Sequence, residues 1–207
     1  GSVMPGGGLA AGPAARVPVG DTGTFAAHAA WSIRGYGAAQ ATMTLPAALH
    51  GRVTIDLHAQ QLHAPAVGFY GVGNTSVRDA RDAYALDSTM AGTNLRAQLS
   101  RTVAVGGRVD WLRTDGAARD AAVALAPDYA RTGFFAEVDR RDAPGYARRG
   151  GLYRLDLTNY DQVNGTGSSF QRADAEVQQY IPLGHHAHQV LALRALASTT
   201  MTGDGAN

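Results

Sequence analysis

Carboxylates and guanidinium groups recur two residues apart in the middle of otherwise apolar runs. Arg154 and Asp156 alternate with Tyr153, Leu155 and Leu157. Glu137, Asp139 and Arg141 alternate with Ala136 and Val138, and Arg172, Asp174 and Glu176 with Ala173, Ala175 and Val177. Asp56 lies between Ile55 and Leu57, Arg96 between Leu95 and Ala97, and Arg194 between Leu193 and Ala195. Paired carboxylates can do general acid–base work when one of them keeps its proton near neutral pH. Here each acid has an arginine within reach on its own or an adjacent segment, which favours the ionised form. The expected chemistry is therefore a ladder of ion pairs. The charged parity holds six basic residues (Arg52, Arg96, Arg141, Arg154, Arg172, Arg194) and six acidic ones (Asp56, Glu137, Asp139, Asp156, Asp174, Glu176). That balance argues for structural pairing rather than ion selectivity, and against an enzyme.

Other reactive groupings are incomplete. His185, His186 and His188 share a turn, but no nearby Asp or Glu completes a metal set, and the chain has no cysteine. His58 and His63 fall on opposite parities of one segment and cannot converge. Phe69-Tyr70-Gly71-Val72-Gly73-Asn74-Thr75-Ser76 offers glycines that accept positive φ, yet it lacks the third glycine and the following helix of a dinucleotide cradle. No serine-hydrolase elbow, zinc-protease helix or P-loop is present, and no cofactor is expected.

The segments that position these charges alternate with a period of two, the period of a strand. Val53, Ile55, Leu57 and Ala59 oppose Thr54, Asp56, His58 and Gln60 in the same way. A sheet with one apolar face and one face charged in mid-strand suits a transmembrane β-barrel, with lipid outside and water inside. Nine strands are predicted: Gly8–Val19, Thr24–Leu45, Arg52–Phe69, Tyr84–Val105, Arg108–Arg113, Thr132–Arg141, Gly151–Tyr160, Phe170–Ile181 and Gln189–Thr200. Short connections (Pro46–Gly51, Gly106–Gly107, Pro182–His188) alternate with long ones (Gly71–Asp82, Thr114–Ala130, Asp161–Ser169), as periplasmic turns alternate with extracellular loops. Residues 115–126 could add a short loop helix. Phe69, Tyr70, Tyr84, Tyr146, Tyr160, Phe170 and Tyr180 lie near strand ends, where interfacial aromatic girdles belong.

Composition fits this reading. The 207 residues are 45% hydrophobic and 17% charged with net charge +1, which gives no electrostatic case for nucleic acid. Mean hydropathy is −0.15, and no apolar run nears the roughly eighteen residues of a membrane helix. Neither fact bears on a barrel, whose strands need only every second residue apolar. The odd strand count, and a last segment Thr202–Asn207 that reads as the opening of a loop, lead to the expectation that residues 1–207 are one barrel segment lacking the C-terminal part of the barrel.

Three motifs, in order, resemble a known family. They are Phe69–Ser76 ahead of Asp82-Ala83-Tyr84, Glu137-Val138-Asp139-Arg140-Arg141-Asp142-Ala143-Pro144 ahead of Arg149-Gly150-Gly151, and Gln179-Tyr180-Ile181-Pro182-Leu183. The order resembles the barrel of the bacterial surface-antigen (D15-like) superfamily, the BamA/TamA type, over roughly residues 25–205. The resemblance implies an outer-membrane barrel whose wall opens laterally to assist protein insertion or translocation. Its partners would be outer-membrane lipid and unfolded or nascent outer-membrane proteins, with Phe69, Tyr70, Gly71, Gly73 and Asn74 as the family-motif loop. The family's periplasmic repeats and its lumenal Arg-Gly-Phe/Tyr loop are not in this sequence, and some relatives are barrels joined to lipases. A passive outer-membrane pore and a soluble β-sandwich binding module are the alternatives. A sandwich would bury the apolar faces in one core.

Overall fold

A computed structural model describes residues 7–48, 51–69, 82–118, 124–125, 127–164, 168–183 and 189–202. These form one antiparallel sheet with no α-helix. Its strands are β1 (Ala10–Ala11), β2 (Ala14–Val19), β3 (Gly23–Ser32), β4 (Gly37–Ala48), β5 (Val53–Phe69), β6 (Asp82–Gln98), β7 (Val103–Ala118), β8 (Ala124–Leu125), β9 (Asp128–Asp139), β10 (Gly150–Asn164), β11 (Phe170–Leu183) and β12 (Gln189–Thr202). β1 and β2 both pair with β3, and β8 and β9 both pair with β7. The described residues thus run as an up-and-down meander of ten strand positions. Gly12-Pro13 divides the first of them. Proline supplies no N–H there, and a Cβ on Gly12 would fall 1.9 Å from the Ala29 carbonyl oxygen.

Ten positions replace the nine expected, and the odd count falls. Thr24–Leu45 is not one strand but the hairpin β3–β4. Its register pairs Phe25 with Met43, Ala27 with Ala41 and Ala29 with Ala39, so odd residues face odd residues. Five residues separate the last registered pair, Trp31 and Gly37, and that odd number preserves parity, so a hairpin of this kind reads as one long alternating run. The turn is marked by Ser32, whose Oγ accepts the N–H of Tyr36 at 3.0 Å, and by Gly35 at φ +81°. The same parity hides the β6–β7 hairpin, which pairs Leu95 with Gly107 and Ala97 with Val105. Gly106 and Gly107 are therefore interior to β7. The turn is at residues 99–102, where Ser100 Oγ accepts the N–H of Val103 at 3.1 Å. Arg108–Arg113 belongs to the same strand β7. No loop helix occurs at the described part of residues 115–126, because 115–118 and 124–125 are strand.

The registers sort every strand into two faces. One carries Phe25, Leu57, Leu95, Val109, Trp111, Phe134, Leu155, Leu157, Val177 and Leu193, each between 36% and 63% exposed. No described part of the chain covers this face. Burial lies on the opposite, charged face. There Ala64, Ala104, Phe135 and Leu152 are buried with Asp110, Glu137 and Thr158. This inverts a soluble sandwich, whose apolar faces meet each other. The sheet is open: β1/β2 at one end and β12 at the other have no partner strand among the described residues.

Candidate functional site on the charged face

The charged face is built from alternate residues of β4–β12. Asp56 and His58 come from β5, Arg96 from β6, Arg108 and Asp110 from β7, and Arg131 and Glu137 from β9. Arg154 and Asp156 come from β10, Arg172, Asp174 and Glu176 from β11, and Arg194 from β12. Three glycines on this face decide which of them meet. Gly92 lies between His58 and Asp110 in register, Gly106 between Arg96 and Phe135, and Gly133 between Arg108 and Thr158. A Cβ on Gly92 would fall 2.2 Å from Asp110 Oδ1, and one on Gly106 would fall 2.3 Å from the Phe135 ring. Each missing side chain leaves room for a contact across a whole strand.

Two networks use that room. In the first, Arg96 donates to Glu137 at 2.6 Å, Arg154 donates to Glu137 at 3.1 Å and to Asp156 at 2.6 Å, and Arg108 completes the chain on Asp156. Two arginines thus share the Glu137 carboxylate, and the Phe135 ring lies beneath them, 5.9 Å from the Arg96 guanidinium and 4.3 Å from that of Arg154. Such stacking suits the flat, weakly hydrated guanidinium. In the second network Asp110 meets His58 Nε2 at 3.0 Å and Arg131 at 3.5 Å. This network borders a hollow of about 370 Å³ lined also by Gln40, Asp56 and Asn94.

The remaining expected residues form local pairs. Arg172 grips Asp174 two residues along the same strand, and Arg194 donates to Glu176 at 2.7 Å across β11–β12. Asp56 accepts from the Thr44 hydroxyl at 2.6 Å. Asp139 takes Arg141 of its own segment through two guanidinium hydrogen bonds. Arg52 is exposed in the turn before β5 and is not part of the wall. Sequence reasoning missed Arg108 and Asp110 because Gly106-Gly107 read as a turn that split β7, and Arg131 because the strand was expected to begin at Thr132, whereas β9 begins at Asp128. His63 lies on the opposite face from His58 and meets Asp87 at 2.6 Å.

The girdle aromatics are placed differently from expectation. Tyr160 and Phe170 stack at 4.4 Å on the charged face, with Tyr129 edge-on to both and Arg131 5.1 Å above the Tyr160 ring. Tyr180 donates to Gln178, again on that face. The exposed aromatics of the apolar face are instead Phe25, Trp31, Trp111, Phe134 and Tyr153. The expected motif loop falls mainly outside the described residues. Phe69 ends β5, and Tyr70, Gly71, Gly73, Asn74 and the histidines 185, 186 and 188 are not described.

The second motif forms a defined turn at residues 140–149. Asp142 Oδ1 accepts the N–H groups of Ala143, Arg148 and Arg149 at 2.9–3.2 Å. The Arg148 and Arg149 amides hold the Asp142 carboxyl below the usual aspartate range. Gly150 closes the turn at φ +93°, where a Cβ would strike the Arg140 carbonyl oxygen. The charged face is thus a lattice of paired charges, with Asp110 and Glu137 buried within it. Every described carboxylate of the two networks is bound to a cation, and none is placed as a free acid or base. No protein-family model and no curated protein matches this chain.

Proposed function

We propose that this chain forms wall of a bacterial outer-membrane β-barrel of the surface-antigen type, in which the apolar face meets lipid and the charged face lines a water-filled interior. The carrying observation is the reversed burial: apolar side chains uncovered on one face, paired charges on the other. In water an uncovered face of that extent would drive association; in a bilayer it is the solvated surface. The apolar band agrees. On β5 it runs from Val53 to Ala59 and yields to Gln61 and His63, while on β10 it runs to Leu157 and yields to Asn159 and Asp161.

The surface-antigen assignment rests on the ordered motifs at 69–76, 137–151 and 179–183. In that role the protein assists insertion or translocation of other polypeptides and catalyses no covalent step. Depleting the protein in cells tests this. Loss of other outer-membrane proteins from the envelope is the expected result, and an unchanged outer-membrane proteome would refute it. Steady ion conductance in planar bilayers with no effect on other proteins would identify a passive pore instead. Recovery of the protein from cells in buffer without detergent would refute the membrane reading itself.

A further inference from the structure

The short-turn end of the sheet carries positive charge that its own acids do not neutralise. Arg140, Arg148 and Arg149 in the 140–149 turn are exposed and form no ion pair with a described residue. Arg101 stands in the neighbouring 99–102 turn, tied to this one by the Asp139 N–H donating to the Thr102 carbonyl at 2.7 Å. The two acids offset this charge only in part: Asp139 holds Arg141, and Asp142 folds over the turn's own backbone, attracting the Arg148 guanidinium without pairing with it. Tyr146 is 71% exposed with the Arg148 guanidinium 5.1 Å above its ring. The Asp142 cap and the φ of Gly150 make the turn a fixed platform rather than a loose charged loop.

Its position selects the partner. Val138 and Tyr153 pair in register as the last apolar-face residues before the turn, so the arginines begin where the band ends. Tyrosine and arginine at that level match the head-group region of a bilayer. We propose that the 140–149 turn, together with Arg101, binds the phosphate head groups of anionic phospholipid in the adjoining leaflet. This rests on the barrel reading. The apolar band beside the turn favours lipid over an acidic protein partner.

The test uses the full-length protein and its Arg140→Gln/Arg148→Gln/Arg149→Gln variant. Both are reconstituted into phosphatidylcholine vesicles with and without phosphatidylglycerol, and the lipid retained after mild detergent extraction is measured. Wild type is expected to retain phosphatidylglycerol over phosphatidylcholine. Retention should fall about fivefold per arginine removed, the equivalent of ~1 kcal/mol each. Protease resistance in the vesicles separates the two readings. Failure to integrate into either vesicle overturns the barrel and this site together, whereas integration with equal retention by both proteins overturns the site alone. If the variant loses binding to polyglutamate while its lipid preference is unchanged, the surface serves an acidic protein and the lipid proposal is wrong.

Discussion

Glu137 is the residue on which the charged face turns, because it is buried and two arginines share it. Removing a buried partner leaves the other charges uncompensated, whereas removing one member of an exposed pair costs little. Arg96 and Arg154 are about one-third exposed, so water offsets part of the loss. Glu137→Ala should destabilise by about 2–3 kcal/mol in a urea titration of the membrane-refolded protein. Arg172→Ala should cost under about 1 kcal/mol, because Arg172 and Asp174 are both well exposed. Equal costs would mean that the network does not exist as described. The glycines between the charges matter as much. Gly92→Ala would place a methyl group 2.2 Å from Asp110 Oδ1 and 2.5 Å from the Val109 carbonyl oxygen. The expected cost is about 1–3 kcal/mol from forced displacement. Gly145→Ala, with open space around it, should be neutral in the same titration.

At the scale of elements, each strand must present one parity to each environment. Leu193 lies on the apolar face of β12 and Ser198 on the charged face opposite Asp174. Leu193→Arg should cost about 2–4 kcal/mol, the range for a cation near the middle of a barrel's lipid face. Ser198→Arg should cost far less, since water reaches it. Similar penalties in a lipid-refolding titration would refute the assignment of faces. The turn between β9 and β10 adds a pH-dependent contact. Asp142 has a lowered carboxyl pKa because it accepts the Arg148 and then the Arg149 amide. A group depressed on folding contributes fully above its unfolded value and loses that contribution as pH falls through its folded one. The Arg148 and Arg149 amide proton shifts should therefore titrate with a midpoint below the ordinary 3.8 of aspartate, and Asp142→Asn should abolish the transition. A midpoint at or above 3.8 would contradict the cap.

At the scale of the whole molecule, the open sheet is the dominant fact. β2 and β12 each leave backbone N–H and C=O groups without a strand partner among the described residues. In hydrocarbon each unpaired group costs several kcal/mol, so a spanning sheet must close. Residues 1–207 alone are therefore expected to give no heat-modifiable, protease-resistant monomer in detergent. A compact monomer that shifts on heating in gel electrophoresis would show that the two edges can pair with each other. β12 is exposed along its length and carries Leu191 and Leu193 on its apolar face, which makes it an aggregation-prone edge until it is paired.

Alternation alone determined much of this protein. The all-β class and the opposed apolar and charged faces are legible from strands such as Leu152–Thr158 and Arg172–Val177, because a two-residue period directly encodes two environments. The ion-pair chemistry was legible too, since Arg154 and Asp156 share the charged parity of their strand and Glu137 that of its own. Tertiary structure decided what parity cannot express. Even-sum registers made β3–β4 look like one strand, so the count was one short. Gly92, Gly106 and Gly133 reveal their role only when three strands lie side by side, and they bring Arg96 to Glu137 and His58 to Asp110 across a strand. Tyr160 and Phe170 face the charged side of the sheet rather than the apolar side, because register rather than nearness to a strand end chooses a side chain's face.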